Sequence, residues 1–299
     1  MTQIVVTGRN TAISALPAQY WTVPGVSIQP LKNKHADEVL AFLSQRPMHT
    51  VFLAGLVRDN GVESPLNRGT FYAYRNERNE LEGVALLGHA TLLETRTDRA
   101  LEAFAQKAQA CRNTFLIMGE EERIAEFWAY YAVDGRQMRL ACRELLFAKN
   151  APGETCDEFL DARLATLGDL ELTMPVHAAM AEAESGVNPL ETDHQAFRKR
   201  CARRIEQGRT WVLVKDNTLV FKADIQSDTP EVIYLEGVWV NPQLRGQGVG
   251  LACLNQLEQR LLKRTSSICL LVNEHNQEAQ TFYDRAGYKV QSYYDTVFL

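Results

Sequence analysis

The stretch Leu235-Glu236-Gly237-Val238-Trp239-Val240-Asn241-Pro242-Gln243-Leu244-Arg245-Gly246-Gln247-Gly248-Val249-Gly250 decides how the rest of the chain reads. It reads as an apolar strand, a turn, a glycine-rich bend and the start of a helix. Val238, Trp239 and Val240, with Ile233 just upstream, are residue types that suit a pleated surface. Pro242 has no N–H for a sheet ladder and so ends the strand. Gly246, Gly248 and Gly250 carry no Cβ, which lets the backbone approach a ligand closely. A helix expected from Leu251 to about Lys263 follows directly. Its first amides lack partners and its dipole is positive at that end. Together these features make an anion site suited to a phosphate or pyrophosphate.

Two familiar phosphate motifs do not fit. A Walker loop needs Gly-Lys-Ser/Thr, and neither Lys nor Ser/Thr follows Gly250. A dinucleotide fingerprint needs G-x-G-x-x-G, whereas the spacing here is G-x-G-x-G. What remains is Arg245-x-x-Gly248-x-Gly250 preceded by Val238-x-Val240-x-Pro242. This resembles the acetyl-CoA signature of the GNAT family of N-acetyltransferases; the alternative is a plain glycine-rich strand-to-helix turn. Downstream, Ile268-Cys269-Leu270-Leu271-Val272 is a second apolar strand. It leads into Asn276-x-x-Ala279-x-x-x-Tyr283-x-x-x-Gly287-Tyr288. That run is similar to the family's second signature and stands in the expected order. Read locally, Asn276 caps a helix, Ala279, Phe282 and Tyr283 share a face, and Gly287 stops it.

Composition bounds the partners. At 299 residues the chain exceeds a usual single domain, so two are expected. A hydrophobic content of 45% supports sizeable cores, and a net charge of −5 argues against nucleic acid or an anionic membrane as the main partner. Cys111, Cys142, Cys156, Cys201, Cys253 and Cys269 include no C-x-x-C pair, so neither a disulfide framework nor a zinc site is expected. His35, His49 and His89 have no metal-ligand spacing either, and no metal is expected. Residues Met1 to Tyr20 lack the pattern of a secretory signal, and no apolar run approaches a membrane span. A cytoplasmic protein is expected.

Taken in order, Met1 to about Val26 has no clear assignment. A strand at Ser27–Leu31 is followed by helices at Ala36–Gln45 and Thr50–Asp59, then strands at Gly69–Tyr74 and Leu81–Leu93. Helix Arg99–Ala110, strand Thr114–Met118, helix Glu121–Tyr131 and a strand or strand pair at Met138–Lys149 complete the first half. Asn150-Ala151-Pro152-Gly153-Glu154 reads as a linker. The second half repeats the order. It has a short strand at Ala162–Ala165, a helix at Asp169–Glu184 interrupted near Pro175, a loop at Ser185–Pro189 and a helix at Asp193–Gln207. A hairpin then joins Trp211–Lys215 to Thr218–Gln226 across Asp216-Asn217, next to the strand Val232–Val240. The expectation is an α/β (α+β) chain of tandem GNAT-like domains, 1–150 and 151–299, each a mixed, mostly antiparallel sheet flanked by helices. The first would be degenerate: Glu94-Thr95-Arg96-Thr97-Asp98-Arg99, after its long strand, contains no glycine, and its carboxylates would repel a phosphate.

The resemblance also implies roles. Backbone groups of Val238 and Val240, with Trp239 between them, would line the acyl-pantetheine arm. Amides from Arg245, Gly246, Gln247, Gly248, Val249 and Gly250 would hold the pyrophosphate of acetyl-CoA, and Asn276 would touch the cofactor. An amine must be neutral to attack a thioester, while a free alkylamine has a pKa near ~10.4. Glu236, two residues before Val238 and expected on the same face toward the opening, is the candidate general base; a structural carboxylate is the alternative. Tyr283 matches the family position that protonates the departing thiolate, with a core tyrosine as the alternative. Lys222 and Asp224 on the preceding strand read as a solvated sheet face or an acceptor-site lining, and Glu182-Ala183-Glu184-Ser185-Gly186 as a solvated loop near the acceptor. The resulting expectation is an acetyl-CoA-dependent N-acetyltransferase acting on a primary amine by direct attack. The alternative is a non-catalytic acyl-CoA-binding or regulatory protein. Neither the acceptor nor the oligomeric state is legible in the sequence.

Overall fold

A computed structural model describes residues 27–153 and 161–299. The unassigned segment Met1–Val26, Cys156 and the linker's Glu154 lie outside the described residues. The first half begins with β1 (Ser27–Pro30), α1 (Ala36–Leu43) and α2 (Val51–Asn60). It continues through β2 (Gly69–Arg75), β3 (Leu81–Gly88), β4 (Ala90–Thr95), α3 (Asp98–Ala108), β5 (Leu116–Glu120), α4 (Glu121–Tyr131) and β6 (Leu140–Lys149). The second half opens with β7 (Arg163–Leu164), α5 (Leu170–Ser185), α6 (Pro189–Glu206), β8 (Thr210–Lys215) and β9 (Thr218–Asp228). After these come β10 (Val232–Val240), α7 (Val249–Leu261), β11 (Ser267–Asn273), α8 (Gln277–Arg285) and β12 (Lys289–Phe298).

Local chemistry explains most boundaries. Asp216 and Asn217 both have positive φ, the primed turn that matches strand twist in a two-residue hairpin. Asn188 caps α6 with Pro189 in its first turn; the helix breaks at Asp193, whose carboxylate accepts from the Ala196 amide at 3.1 Å and restarts it. Two expectations are corrected. The expected single strand Leu81–Leu93 is two, β3 and β4, because the chain folds back at Gly88-His89; there a Cβ on Gly88 would lie 2.4 Å from the Gly69 Cα. Nor does Pro175 interrupt α5, which runs from Leu170 to Ser185: the proline costs a backbone hydrogen bond, and burial of Leu170, Met174 and Ala178 on either side holds the helix across it.

The twelve strands of the described residues join one sheet, in the order β1-β2-β3-β4-β5-β12-β6-β11-β10-β9-β8-β7. The pairs β4/β5 and β10/β11 are parallel and the others antiparallel. The halves therefore exchange their last strands. β6 of the first half pairs with β11 of the second, while β12, a strand absent from the sequence expectation, pairs with β5 and with β6. α3 and α4 cover one face in the first half, and α7 and α8 cover the same side of the second. On the opposite face, α1 and α2 cover β1–β4 and α5 and α6 cover β8 and β9. α2 crosses the junction: Val51 packs with Leu146, Ala148, Val232, Tyr234, Cys269 and Tyr294 from both halves. No helix among the described residues is long and apolar enough to cross a membrane.

A buried ion pair ties the exchanged strand to the second half. Lys149, the last residue of β6, meets Glu258 of α7 at 2.5 Å and donates to the Ala286 carbonyl at 2.5 Å. Glu258 is fully buried and Lys149 only 8% exposed. Lys149→Met leaves the carboxylate buried without its counter-charge and is expected to cost about 3–5 kcal/mol. Burial raises the Glu258 pKa, and Lys149 is the main group opposing that rise, with a smaller part from Tyr288. Without Lys149 the folded state binds the Glu258 proton more tightly than the unfolded state does. The variant's deficit, measured by chemical denaturation, should thus be largest at neutral pH and shrink as acid protonates Glu258.

Candidate functional site

The site begins where two parallel strands part. β10 and β11 pair only from Val232–Tyr234 to Ser267–Cys269. Beyond that point β10 stays with β9 and β11 with β6, so the β10/β11 seam opens into a V. The Tyr234 hydroxyl accepts from the Leu271 amide at 3.3 Å near its vertex. Among the described residues no strand pairs with the β11-facing edge of Leu235–Val240. A backbone edge left open in this way can bind an extended amide-bearing ligand.

A β-bulge sits on the same strand. Glu236 stands opposite Asp224 and Trp239 opposite Lys222, so β10 spends one residue more than β9 over this interval. Gly237 takes φ +59°, and a Cβ there would lie 2.8 Å from both the Asp224 Oδ2 and the Lys222 Nζ. The bulge corrects the expectation that Glu236 and Val238 share a face. Val238 and Val240 pack into the core beneath α7 and α8, whereas Trp239 packs toward α5 and α6. Glu236 follows Trp239, on the face away from the cradle described below.

That face carries a charged cluster. Arg204 of α6 meets Glu236 at 2.8 Å and donates to Gln226 at 2.7 Å. Asp224 is bonded by Lys222, accepts from the Thr210 hydroxyl at 2.8 Å and lies 3.5 Å from the His177 Nε2. Lys222 and Asp224 are both fully buried, so the solvated-face reading is corrected. Burial disfavours the Asp224 charge, but Lys222 and Arg204 outweigh it and hold the carboxyl below its usual range. Burial, with Lys222 nearby, pushes His177 down to about 3, leaving a neutral ring at pH 7. Glu184, expected in a loop, is the penultimate residue of α5. Its side chain keeps contact with solvent, yet the protein around it removes enough water to raise its pKa, and Glu236 and Glu144 raise it further, to about 7. Glu144 comes from β6 of the first half; the Thr296 hydroxyl of β12 donates to it at 2.7 Å, and burial raises its pKa.

On the other side, the bend after β10 forms a cradle. Asn241 caps a short turn at Pro242–Leu244 by accepting from the Gln243 amide at 3.0 Å. Gly246 and Gly248 have φ of +74° and +82°, with nothing within 4 Å of an added Cβ. Their role is conformational: the backbone turns in a way other residues rarely adopt, and its approach stays open. Gly250 serves packing, since a Cβ there would lie 2.6 Å from Val240. α7 starts at Val249, earlier than expected, and no side chain caps it. Its first amides are left for an anion. Gln247 is exposed and donates to the Gln243 carbonyl at 3.1 Å. Arg245 sits at the rim, its Nε 3.3 Å from the Val240 carbonyl and its Nη1 3.5 Å from Glu278 of α8.

Asn276 caps α8 by accepting from the Ala279 amide at 3.0 Å. Tyr283, 8% exposed, packs among Phe147, Phe282 and Tyr288 in the core that also holds Val238 and Val240. Burial raises its pKa above the ordinary phenol range, so the hydroxyl keeps its proton at neutral pH. The structure thus brings Val238, Val240, the bend and Tyr283 to one side of the V and Glu236 to the other. Arg204, His177, Thr210 and Glu144 escaped the sequence reading, because they lie far apart in the chain and carry no motif.

The first half has a matching V, and it is filled. β4 and β5 pair only over Ala90–Leu92 and Leu116–Met118. Arg46 reaches into the opening, meeting Glu120 at 2.7 Å and Glu94 at 3.3 Å, while Arg96 also bonds Glu94. Thr97 caps α3 directly, accepting from the Ala100 amide. There is no glycine bend and no open helix end.

Residues 176–288 match the model of the Acetyltransferase (GNAT) family. Among curated proteins, none matches the chain in sequence. Solved structures resemble it at low identity and speak to its fold. A Drosophila protein shares 11% identity at a TM-score of 0.67, covering 91% of this chain and 98% of its own. A tandem GNAT protein from the clavulanic acid biosynthesis pathway shares 10% at 0.58, covering 92% and 98%. An acetyltransferase from the GNAT family from Colwellia psychrerythraea shares 14% at 0.53, covering 91% and 100%. With its splayed strands, glycine cradle and matching segment 176–288, the second half of the chain carries an acetyltransferase domain of the GNAT type.

Proposed function

We propose that the protein is an acetyl-CoA-dependent N-acetyltransferase that acylates a primary amine by direct attack on the thioester. Residues 151–299 are its catalytic domain and residues 1–150 a degenerate repeat. The observation that carries this reading is the open V between β10 and β11, which runs into an uncapped helix through a bend with no side chain in the way. In this reading the backbone of Val238 and Val240 pairs with the pantetheine amides beside Trp239. The amides of Arg245 through Gly250 hold the pyrophosphate, and Asn276 orders the rim by capping α8. The filled V of the first half leaves one donor site per chain.

The chemistry follows from the two sides of the V. An amine entering from the α5/α6 face meets Glu236, which Arg204 holds in place. Its lone pair forms the C–N bond as the C–S bond breaks. The departing thiolate needs a proton, and Tyr283 stays protonated until that moment, as a general acid must.

Calorimetric titration with acetyl-CoA should show one site per chain, and release of free thiol should follow with ethanolamine, putrescine, glycine or a lysine-containing peptide. Absence of acetyl-CoA binding would sink the reading, while binding without release on any acceptor would favour a non-catalytic acyl-CoA sensor. Gly248→Val places a β-branched residue at positive φ and is expected to weaken acetyl-CoA binding about tenfold or more. Tyr283→Phe should bind acetyl-CoA normally and turn over about 100-fold more slowly.

A further inference from the structure

We propose that Glu184, at the C-terminal end of α5, takes the proton released by the attacking amine, while Glu236 orients that amine. The inference rests on the acetyltransferase reading above and assigns a proton acceptor within it. The path of α5 is the first argument. His177 stands over Asp224 on β9. At the other end of the helix the Ser185 carbonyl accepts from Arg139, just before β6, at 2.7 Å. The sheet order places β10 and β11 between β9 and β6. The last two turns of α5 therefore cross the open V. Glu184 lies seven residues past His177, on the same helix face and about 10 Å further along the axis.

The second argument is which carboxylate is free. Glu236, the base expected from sequence, is engaged by the Arg204 guanidinium, which Gln226 also holds. Glu144 accepts from Thr296. Glu184 forms no ion pair or hydrogen bond with any described residue. Its charged surroundings are Glu236 from β10, Glu144 and Cys142 from β6, Lys222 from β9, Glu182 from its own helix and Arg139 at the helix end. Desolvation by the surrounding protein raises the Glu184 pKa most, Glu236 and Glu144 add to it, and the Lys222 charge, spent on Asp224, offsets little, so Glu184 titrates at about 7. A base that titrates near the working pH combines availability with proton affinity.

The step balances. The amine nitrogen bonds to the acetyl carbon and its surplus proton passes to the Glu184 carboxylate. The C–S bond breaks, and the thiolate takes the Tyr283 proton. Because Glu184 is exposed, it can return its proton to water, from which Tyr283 is reprotonated.

The test is the pH dependence of kcat for acetyl-CoA with whichever amine of the panel the protein acetylates. The wild-type rate should rise through about pH 7 as Glu184 ionises. Glu184→Gln should lose that limb and about 100-fold in rate while binding acetyl-CoA unchanged. Glu144→Gln removes a repelling charge and should move the limb to lower pH. Glu236→Gln should raise KM for the amine and keep the limb. In parallel, carbon-13 carboxyl NMR of glutamate-labelled protein should show a resonance titrating near pH 7 that vanishes in Glu184→Gln. A Glu184 titrating in the ordinary range, or an active Glu184→Gln enzyme with an unchanged limb, overturns the assignment alone. Failure of the wild type to bind acetyl-CoA overturns the acetyltransferase reading and this assignment with it.

Discussion

The exchange of terminal strands is the constraint on which the rest of the molecule depends. Among the described residues β6 has no sheet neighbour from its own half: it lies between β11 and β12. β12 in turn separates β5 from β6. Each exchanged strand satisfies backbone edges that would otherwise be open to aggregation. The same pairing places Glu144 and Thr296, from different halves of the chain, beside each other near the site. It also brings α2 across the junction, where Phe52 packs at a tilt against Tyr234 with ring centroids 4.3 Å apart. The first half, whose own V is plugged, thus still supplies one wall of the second half's recess.

Within the second half, the bulge at Gly237 decides which side chains meet. Without it, strand alternation would put Glu236 and Val238 on one face. With it, Glu236 turns toward Arg204 and the buried Lys222–Asp224 pair, and the valines stay with α7 and α8. Acidic and basic groups gather on one side of the V and an apolar core with an unpaired helix end on the other. Only a glycine fits at the crossover, because Asp224 and Lys222 occupy the space a Cβ would need. The duplicated V shows the converse. Arg46, Glu94 and Glu120 satisfy one another where the second half leaves its seam open, and the capped α3 leaves no amides for an anion.

Much of this was legible in the sequence because it is local. The hairpin at Asp216-Asn217, the strand Val232–Val240, the helix capped by Asn276 and the stop at Gly287 each follow from residues a few positions apart. The glycine bend was legible for the same reason, since φ preference belongs to the residue itself. So was the absence of such a bend after β4. The break at Gly88-His89 was missed because an apolar run looks alike whether it forms one strand or two. β12 was missed because its register comes from partners far away in the chain.

The sequence by itself determined the acetyltransferase fold, the tandem order of its elements and the positions of cradle and phenol, all encoded in short-range spacing. Tertiary structure alone decided the strand exchange, the face on which Glu236 emerges and the company it keeps. Those outcomes depend on pairing register across distant segments and on which buried charges find partners, and neither quantity is a property of any one stretch of chain. Glu184 shows the difference: in sequence it is one carboxylate in an acidic run, and its unusual environment exists only because α5 brings it over strands from both halves.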